Sequence, residues 1–480
     1  MRELDALVVG GGISGLAIAH CLARAGLSVE VWESADRIGG KISTTQREGF
    51  RLESAASMVV SCGSEIDHFL HSAGLQASKR PRAPTAKRYV LHADRLHEVP
   101  SRLGDLMKTP LLSTVGKLRL LAEPLVPRGG NPHESVARFV ARRLGREFLD
   151  KFFEPYVAGL LASDVDLAEA QATTPRLVAL EKRYGSLAVG AVLRRVGAGS
   201  GGAGRPQMFS FAGGMQTLAD TLARQGGFRV RANLRVSEVW PVRGGWMTRG
   251  TTAGAIHEAF SRQLVLSLPA DAAAGLIRGL DPELSALLRA VEYAPIRIVH
   301  TGFDRGRIEH SLGGSGFLVP RGSRFAANGC LWMSSLFPGH APQGRVLFST
   351  YLGGARNRSA AEWDAGRSMD AVTHMLRELM GVKTAPDLLH IETHPRGLPL
   401  YHGAYSQRLA AIDRRLTAWP GLHLEANYKG GVGVRDRILC ADLFARRVLR
   451  QRAEAQPHRS SAAHRLAGAQ QLAAAPTPAG

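Results

Sequence analysis

Residues 5–33 read DALVVGGGISGLAIAHCLARAGLSVEVWE, and the fold is decided there. A buried strand over residues 5–9 meets a glycine turn. An apolar-periodic helix then runs to Ala25, and after Gly26 a second strand ends in an acid. Gly10, Gly12 and Gly15 fill the three slots of a G-x-G-x-x-G fingerprint. The first permits the tight turn, the second lets a pyrophosphate approach the backbone, and the third allows close helix–strand packing. Ile13 and Ser14 fall in the helix's first turn, whose free N–H groups and positive dipole end favour phosphate. Glu33, with Ser34 beside it, stands where a carboxylate can accept both hydroxyls of an adenosine ribose. Strand, turn, helix, strand and acid together predict a Rossmann-like dinucleotide site in an α/β chain.

Downstream the chain reads Asp36-Arg37-Ile38-Gly39-Gly40-Lys41. A second glycine pair flanked by cations suits a loop folded back on the same pyrophosphate. The stretch resembles the R-x-G-G-[RK] segment of the FAD-binding amine-oxidase superfamily, which favours FAD over NAD. An ordinary glycine turn on a basic surface is the alternative.

At 480 residues the chain is long enough for two or three domains and a large core. With 45% hydrophobic and 21% charged residues it has an ordinary globular composition. Cys21, Cys62, Cys330 and Cys440 lie far apart, which argues against a zinc site or a disulfide framework. The first strand begins within five residues of Met1, leaving no room for a signal peptide in this sequence, and no apolar run reaches bilayer length. The formal charge of +20 predicts an anionic partner. Nucleic acid is disfavoured, because no finger spacing, RNA-binding strand or basic zipper is present.

Further along, residues 49–53 read as a short hairpin, 64–75 as a helix, and 79–88 as a Pro-rich, basic crossover. A strand pair follows at 89–91 and 96–100, then a mostly helical block over 101–196. Within it Val136, Val140, Leu144 and Phe148 recur every four residues, opposite Arg138, Arg142 and Arg146. Such a helix can lie on acidic lipid, or simply pack on a core. Residues 197–206 read as a flexible connector, 293–355 as strand-rich, and the end from about 453 as disordered. The nucleotide fold is thus interrupted. The expected division is an FAD domain from 1–78, 208–292 and 413–452, a sheet-based substrate domain from 79–100 and 293–412, and a helical domain from 101–207, ahead of a 453–480 tail.

Several blocks resemble oxygen-dependent protoporphyrinogen oxidases. They are Glu154-Pro155-Tyr156-Val157-Ala158-Gly159, Phe211-Ala212-Gly213-Gly214-Met215, Gly316-Phe317-Leu318-Val319-Pro320, Gly353-Gly354-Ala355-Arg356-Asn357 and Asn427-Tyr428-Lys429-Gly430-Gly431-Val432. The resemblance implies an FAD enzyme that removes six electrons from a porphyrinogen, with dioxygen as acceptor and hydrogen peroxide as by-product. It implies a helical membrane-associating domain, and hence a cytoplasmic protein held peripherally on an anionic membrane surface; a homodimer is allowed. It places Arg88 on a propionate, Leu318 and Leu331 as apolar clamps, and Tyr351 as the aromatic position. It adds Arg37, Gly39, Gly40, Lys41, Ala56, Ser57, Met58, Val59, Val236, Val432, Gly433 and Val434 to the FAD contacts. No residue is expected to act as acid or base, because the cofactor carries the hydride chemistry, and no metal is expected.

Four departures from the family pattern stand out: Ser54-Ala55-Ala56, Ser163-Asp164, His402-Gly403 and Ala426-Asn427, where glycines or a Gly-His order are usual. They leave open two alternatives. One is a relative that oxidises coproporphyrinogen III, or another macrocycle or polyene. The other is a flavin- or porphyrin-binding protein without turnover. An amine oxidase is disfavoured by the lack of an evident aromatic cage.

Overall fold

The computed structural model describes every residue except 1, 62, 85–86, 101–102, 130, 198–206 and 473–480. The connector expected over 197–206 therefore lies, from residue 198 on, outside the described residues.

Residues Arg2–Val9 form the centre of the first sheet, because Ala6, Leu7 and Val8 are wholly buried on both faces. They pair in parallel with Val29–Trp32 on one side and Ala255–Leu266 on the other. Arg229–Arg231 and Leu422–Leu424 extend the parallel part, while Arg235–Val242 and Gly245–Thr252 close the sheet as an antiparallel meander. The helix Ile13–Arg24 packs on one face through Leu16, Ala17 and Leu22, beside Phe444 and Val448 of the final helix.

The second sheet has the strand order Leu388–Pro399, Tyr293–Asp304, Arg345–Gly353, Gly329–Trp332, Gly314–Leu318, Lys87–His92, Arg95–Glu98. The helix Ala365–Met380 covers one face with Val372, Met375 and Leu376, over Phe317, Trp332 and Phe348. A small third sheet joins Val59–Ser61, Gln207–Phe211 and Lys79–Pro81. The stretch read as a crossover thus contributes a strand of its own, tied to the Phe209–Phe211 segment that buries two aromatic rings.

The helical block departs from its sequence pattern. The amphipathic run over 135–149 is not one helix: Val136–Leu144 stops at Gly145, whose φ of +92° only glycine adopts readily. A short turn and a π-helical segment, Leu149–Phe153, lead into the helix Glu154–Leu161. Arg142 does not face outward. It bonds Glu134 at 2.6 Å and Glu181 at 2.7 Å, and Arg146 pairs with Asp150 at 3.0 Å. Arg143, fully buried, donates to Glu123 and to the carbonyls of Val126 and Gly185. Arg138 and Arg146 remain exposed, and elsewhere the block bares an apolar surface. Val115, Leu118, Leu121 and Leu125 stand bare near Val189, Val192 and Leu193, since the helices Thr114–Leu121 and Leu187–Gly197 both pack on the Glu123–Leu125 turn. The final helix runs Val434–Leu472, past the point where composition predicts disorder. Among the described residues no helix is long and apolar enough to cross a membrane.

Candidate active site

The three fingerprint glycines do different jobs. A Cβ on Gly10 would lie 2.5 Å from the Ser267 carbonyl oxygen, and one on Gly15 would lie 2.0 Å from the Gly10 oxygen. Both are small because the protein itself is close. Gly12 is small for another reason: nothing comes nearer to its would-be Cβ than Gly40 Cα, at 4.0 Å. The space above Gly12 is open, and Ile13, Ser14 and Gly15 present amides that the helix itself cannot bond. That combination fits a pyrophosphate.

The second glycine pair returns to the first, as its spacing suggested. Gly39 N–H donates to Gly11 O at 2.8 Å, and Gly40 adopts φ +60° beside Gly12. Glu33 is fixed by the Gly11 amide at 2.6 Å and the Ala35 amide at 2.8 Å, with Ser34 Oγ at 3.2 Å. Arg37 turns onto its own loop, donating to the carbonyls of Gly40 at 2.8 Å and Ile42 at 3.2 Å, so it shapes the cradle. Lys41 leaves the loop: its Nζ donates to Gly397 O of the second sheet at 2.6 Å and sits over the Tyr293 ring. Burial, and then the nearby Arg396, pull its pKa down to about 8. Asn233 and Leu234 bond Ala35 and Glu33 through the backbone, which brings Val236 to the ribose end of the cradle.

At the other end, Gly430 and Gly431 take φ of +73° and +107°, Val432 packs on the core beneath the first sheet, and a helix opens at Val434. The Gly433 amide is held by Asp436 at 3.3 Å. The segment Ala56, Ser57, Met58 and Val59 runs between the cradle and the second sheet. The Ser57 side chain approaches the Tyr351 hydroxyl, and Met58 and Leu331 pack on the same apolar cluster.

The four positions assigned to substrate come from four strands and share one face. Leu318, Gly329 and Tyr351 are direct cross-strand partners; Gly316, Leu331 and Ser349 form the row two residues away. Val90 pairs with Leu318, which puts Arg88 on that face as well. It is the face opposite Phe317, Trp332 and Phe348, and it is turned toward Ser57 and Met58. Arg88 is exposed, with neighbouring protein crowding its inner side. Loss of bulk water and then the nearby Arg82 lower its pKa, and its guanidinium donates to Met208 Sδ at 3.2 Å. Burial pushes the Tyr351 phenol above its ordinary range.

Three features were not assigned from the sequence. Gly159 of the helix Glu154–Leu161 lies against the face, since a Cβ there would meet Leu318 Cδ2 at 2.4 Å. Glu154 bonds Arg356 at 2.7 Å, and Arg356 bonds Asn328 at 2.7 Å, so separate sequence blocks close into one corner. Two of the departures meet: Ser163 Oγ and His402 Nε2 are 3.0 Å apart, within hydrogen-bond distance. Among the described residues no cluster of His, Cys, Asp and Glu could hold a metal.

The sequence matches the family of flavin-containing amine oxidoreductases over residues 13–433. It is 30% identical over 462 residues to the mitochondrial protoporphyrinogen oxidase of Nicotiana tabacum, covering 89% of this chain and 91% of that one. It is 25% identical over 460 residues to the coproporphyrinogen III oxidase of Bacillus subtilis, covering 90% and 95%. The structure superposes on a crystal structure of an Exiguobacterium protein with a TM-score of 0.75 at 23% identity, over 93% and 98% of the two chains. Against reduced UDP-galactopyranose mutase the TM-score is 0.70 at 14% identity, over 94% of each.

Proposed function

Because the chain belongs to the flavin-containing amine oxidoreductase family and is an FAD-dependent oxidoreductase related to the porphyrinogen oxidases, we propose that it oxidises protoporphyrinogen IX to protoporphyrin IX. Six electrons leave the macrocycle, and three dioxygen molecules are reduced to hydrogen peroxide. When bound, FAD supplies the hydride acceptor and the route of electrons to dioxygen. The protein's own residues bind and orient. Gly12, Gly40 and the first turn of the helix take the pyrophosphate, Glu33 the ribose, and Val432 to Val434 the ring end. Leu318 and Leu331 supply a dry wall for a flat macrocycle, Tyr351 is steadied by Ser57, and Arg88 takes a carboxylate through charge-assisted bonds.

The observation that carries this reading is the convergence of Arg88, Leu318, Leu331 and Tyr351 on one sheet face turned toward the Ser57–Met58 segment. Arg88 stands at one end of an otherwise apolar stretch. That suits a ring whose carboxylates lie along one edge, as in protoporphyrinogen. Coproporphyrinogen III, with four carboxylates, is the second reading, favoured by the name of the Bacillus relative. Offering both porphyrinogens under air and following product fluorescence decides between them; faster turnover of coproporphyrinogen overturns the first reading, and oxidation of neither overturns both.

The same proposal places the protein peripherally on the cytoplasmic face of an anionic membrane. What supports this is the bare apolar set Val115, Leu118, Leu121, Leu125, Val192 and Leu193, with Arg128, Lys182 and Arg194 exposed in the same block.

A further inference from the structure

The sheet face bearing Arg88 and Leu318 is only half of a slot. The other half is the helix Glu154–Leu161, whose Gly159 touches Leu318. Ahead of it the π-helical segment Leu149–Phe153 packs on the strand Lys87–His92 that carries Arg88. Such segments are uncommon and recur at functional sites. Tyr156 lies one helical turn before Gly159, and residues three apart share a helix side. Its ring therefore projects over the sheet near Arg88, backed by Phe153 at 5.9 Å between ring centroids. Tyr156 is 42% exposed and Leu160 49% exposed, although the helix around them is packed. A bare phenol and a bare leucine above an apolar face with a guanidinium at its edge describe an occupant that is flat, apolar in its body and anionic at its rim.

We propose that Tyr156 is a substrate-positioning residue, its hydroxyl sharing with Arg88 one carboxylate of the bound macrocycle while its ring covers the adjoining pyrrole. This rests on the porphyrinogen reading above and adds a second donor and a second wall to it. The Tyr156 phenol is close enough to act on the Arg88 charge, opposing the effect of Arg82. The thioether that Arg88 now contacts is a weak acceptor, which a carboxylate displaces readily. An arginine and a phenol on opposite jaws would grip a carboxylate only when the macrocycle edge lies between them, which fixes the ring's rotation in the slot.

The test uses the FAD-loaded protein and two non-reactive probes: a fully oxidised porphyrin bearing two propionates, and its dimethyl ester. Binding is read by quenching of probe fluorescence. Wild type is expected to prefer the diacid. Tyr156→Phe, which keeps the ring, should hold the ester as wild type does and bind the diacid about tenfold more weakly. Tyr156→Ala should weaken both. In turnover, Tyr156→Phe should raise KM with little change in kcat. A diacid preference undiminished in Tyr156→Phe overturns the assignment of Tyr156 alone. A wild type that binds neither probe overturns the porphyrinogen reading, and this assignment with it.

Discussion

At the scale of single residues, the glycines separate structural from ligand-driven demands. Gly15→Ala puts a methyl into the Gly10 carbonyl, so it should lower the stability of the apoprotein by about 1–3 kcal/mol. Gly12→Ala meets only open space and keeps φ at −72°, so thermal unfolding of the apoprotein should hardly move. FAD affinity should nevertheless fall by about tenfold or more, because the methyl occupies the pyrophosphate's approach. Calorimetry paired with flavin titration reads both; loss of apoprotein stability in Gly12→Ala would contradict the division. Arg88→Ala should raise KM about tenfold to a hundredfold and change kcat far less, since a propionate clamp acts in ground and transition states alike. An unchanged KM removes Arg88 from the slot. The glycine cradle was legible in the sequence because its glycines answer local needs, the protein's own close approach at Gly10 and Gly15 and room for a ligand at Gly12. The pairing of Ser163 with His402 was not legible: the two departures are 239 positions apart and make sense only once the chain has brought them within 3.0 Å.

At the scale of elements, the helical block carries its own acid sensitivity. Burial would raise the Glu123 carboxyl, but the Ser186 hydroxyl, the Leu187 and Ala188 amides and Arg143 together hold it below its ordinary value. Glu147 and Glu181 are held low in the same way. A carboxylate depressed in the folded state contributes stability above its unfolded pKa, about 4.3, and that contribution is lost as pH falls through the folded value. Below about pH 4 the helical block should therefore loosen, read as proteolytic cleavage within residues 103–197; a block as resistant at pH 3 as at pH 7 contradicts this. Glu123→Gln takes from buried Arg143 the nearer of its two countercharges, leaving Glu181 at 3.5 Å, and should cost up to about 3–5 kcal/mol at neutral pH, measurable by denaturant unfolding. The block also shows where periodicity misleads. The four-residue recurrence of Arg138, Arg142 and Arg146 looked like a continuous basic face, but Gly145 breaks the helix and Arg142 turns inward to Glu134 and Glu181. Charge on a helical wheel does not reveal which acids from other segments will meet it. The exposed Leu118 and Val192 carry the lipid prediction instead: Leu118→Glu with Val192→Glu should abolish binding to anionic vesicles at low salt while the fold survives, because both side chains stand in solvent. Unaltered vesicle binding would discard this surface.

At the scale of the molecule, the two large sheets were legible only in part. The first follows from a continuous apolar strand beside a glycine turn. The second is assembled from strands between residues 87 and 399, and no local pattern states that Arg88 will share a face with Tyr351. Family resemblance named those positions, and the strand register puts them on one face. Ser57 and Lys41 then join this sheet to the cradle, so the face carrying Leu318, Leu331 and Tyr351 is held with the flavin cradle as one unit. The most direct measurement of that arrangement is anaerobic mixing of the FAD-loaded protein with protoporphyrinogen IX, followed by the visible spectrum of the flavin. The account predicts rapid bleaching of the oxidised flavin bands and, on admitting air, their return with the rise of porphyrin fluorescence. A flavin that stays oxidised in the presence of bound porphyrinogen would contradict it.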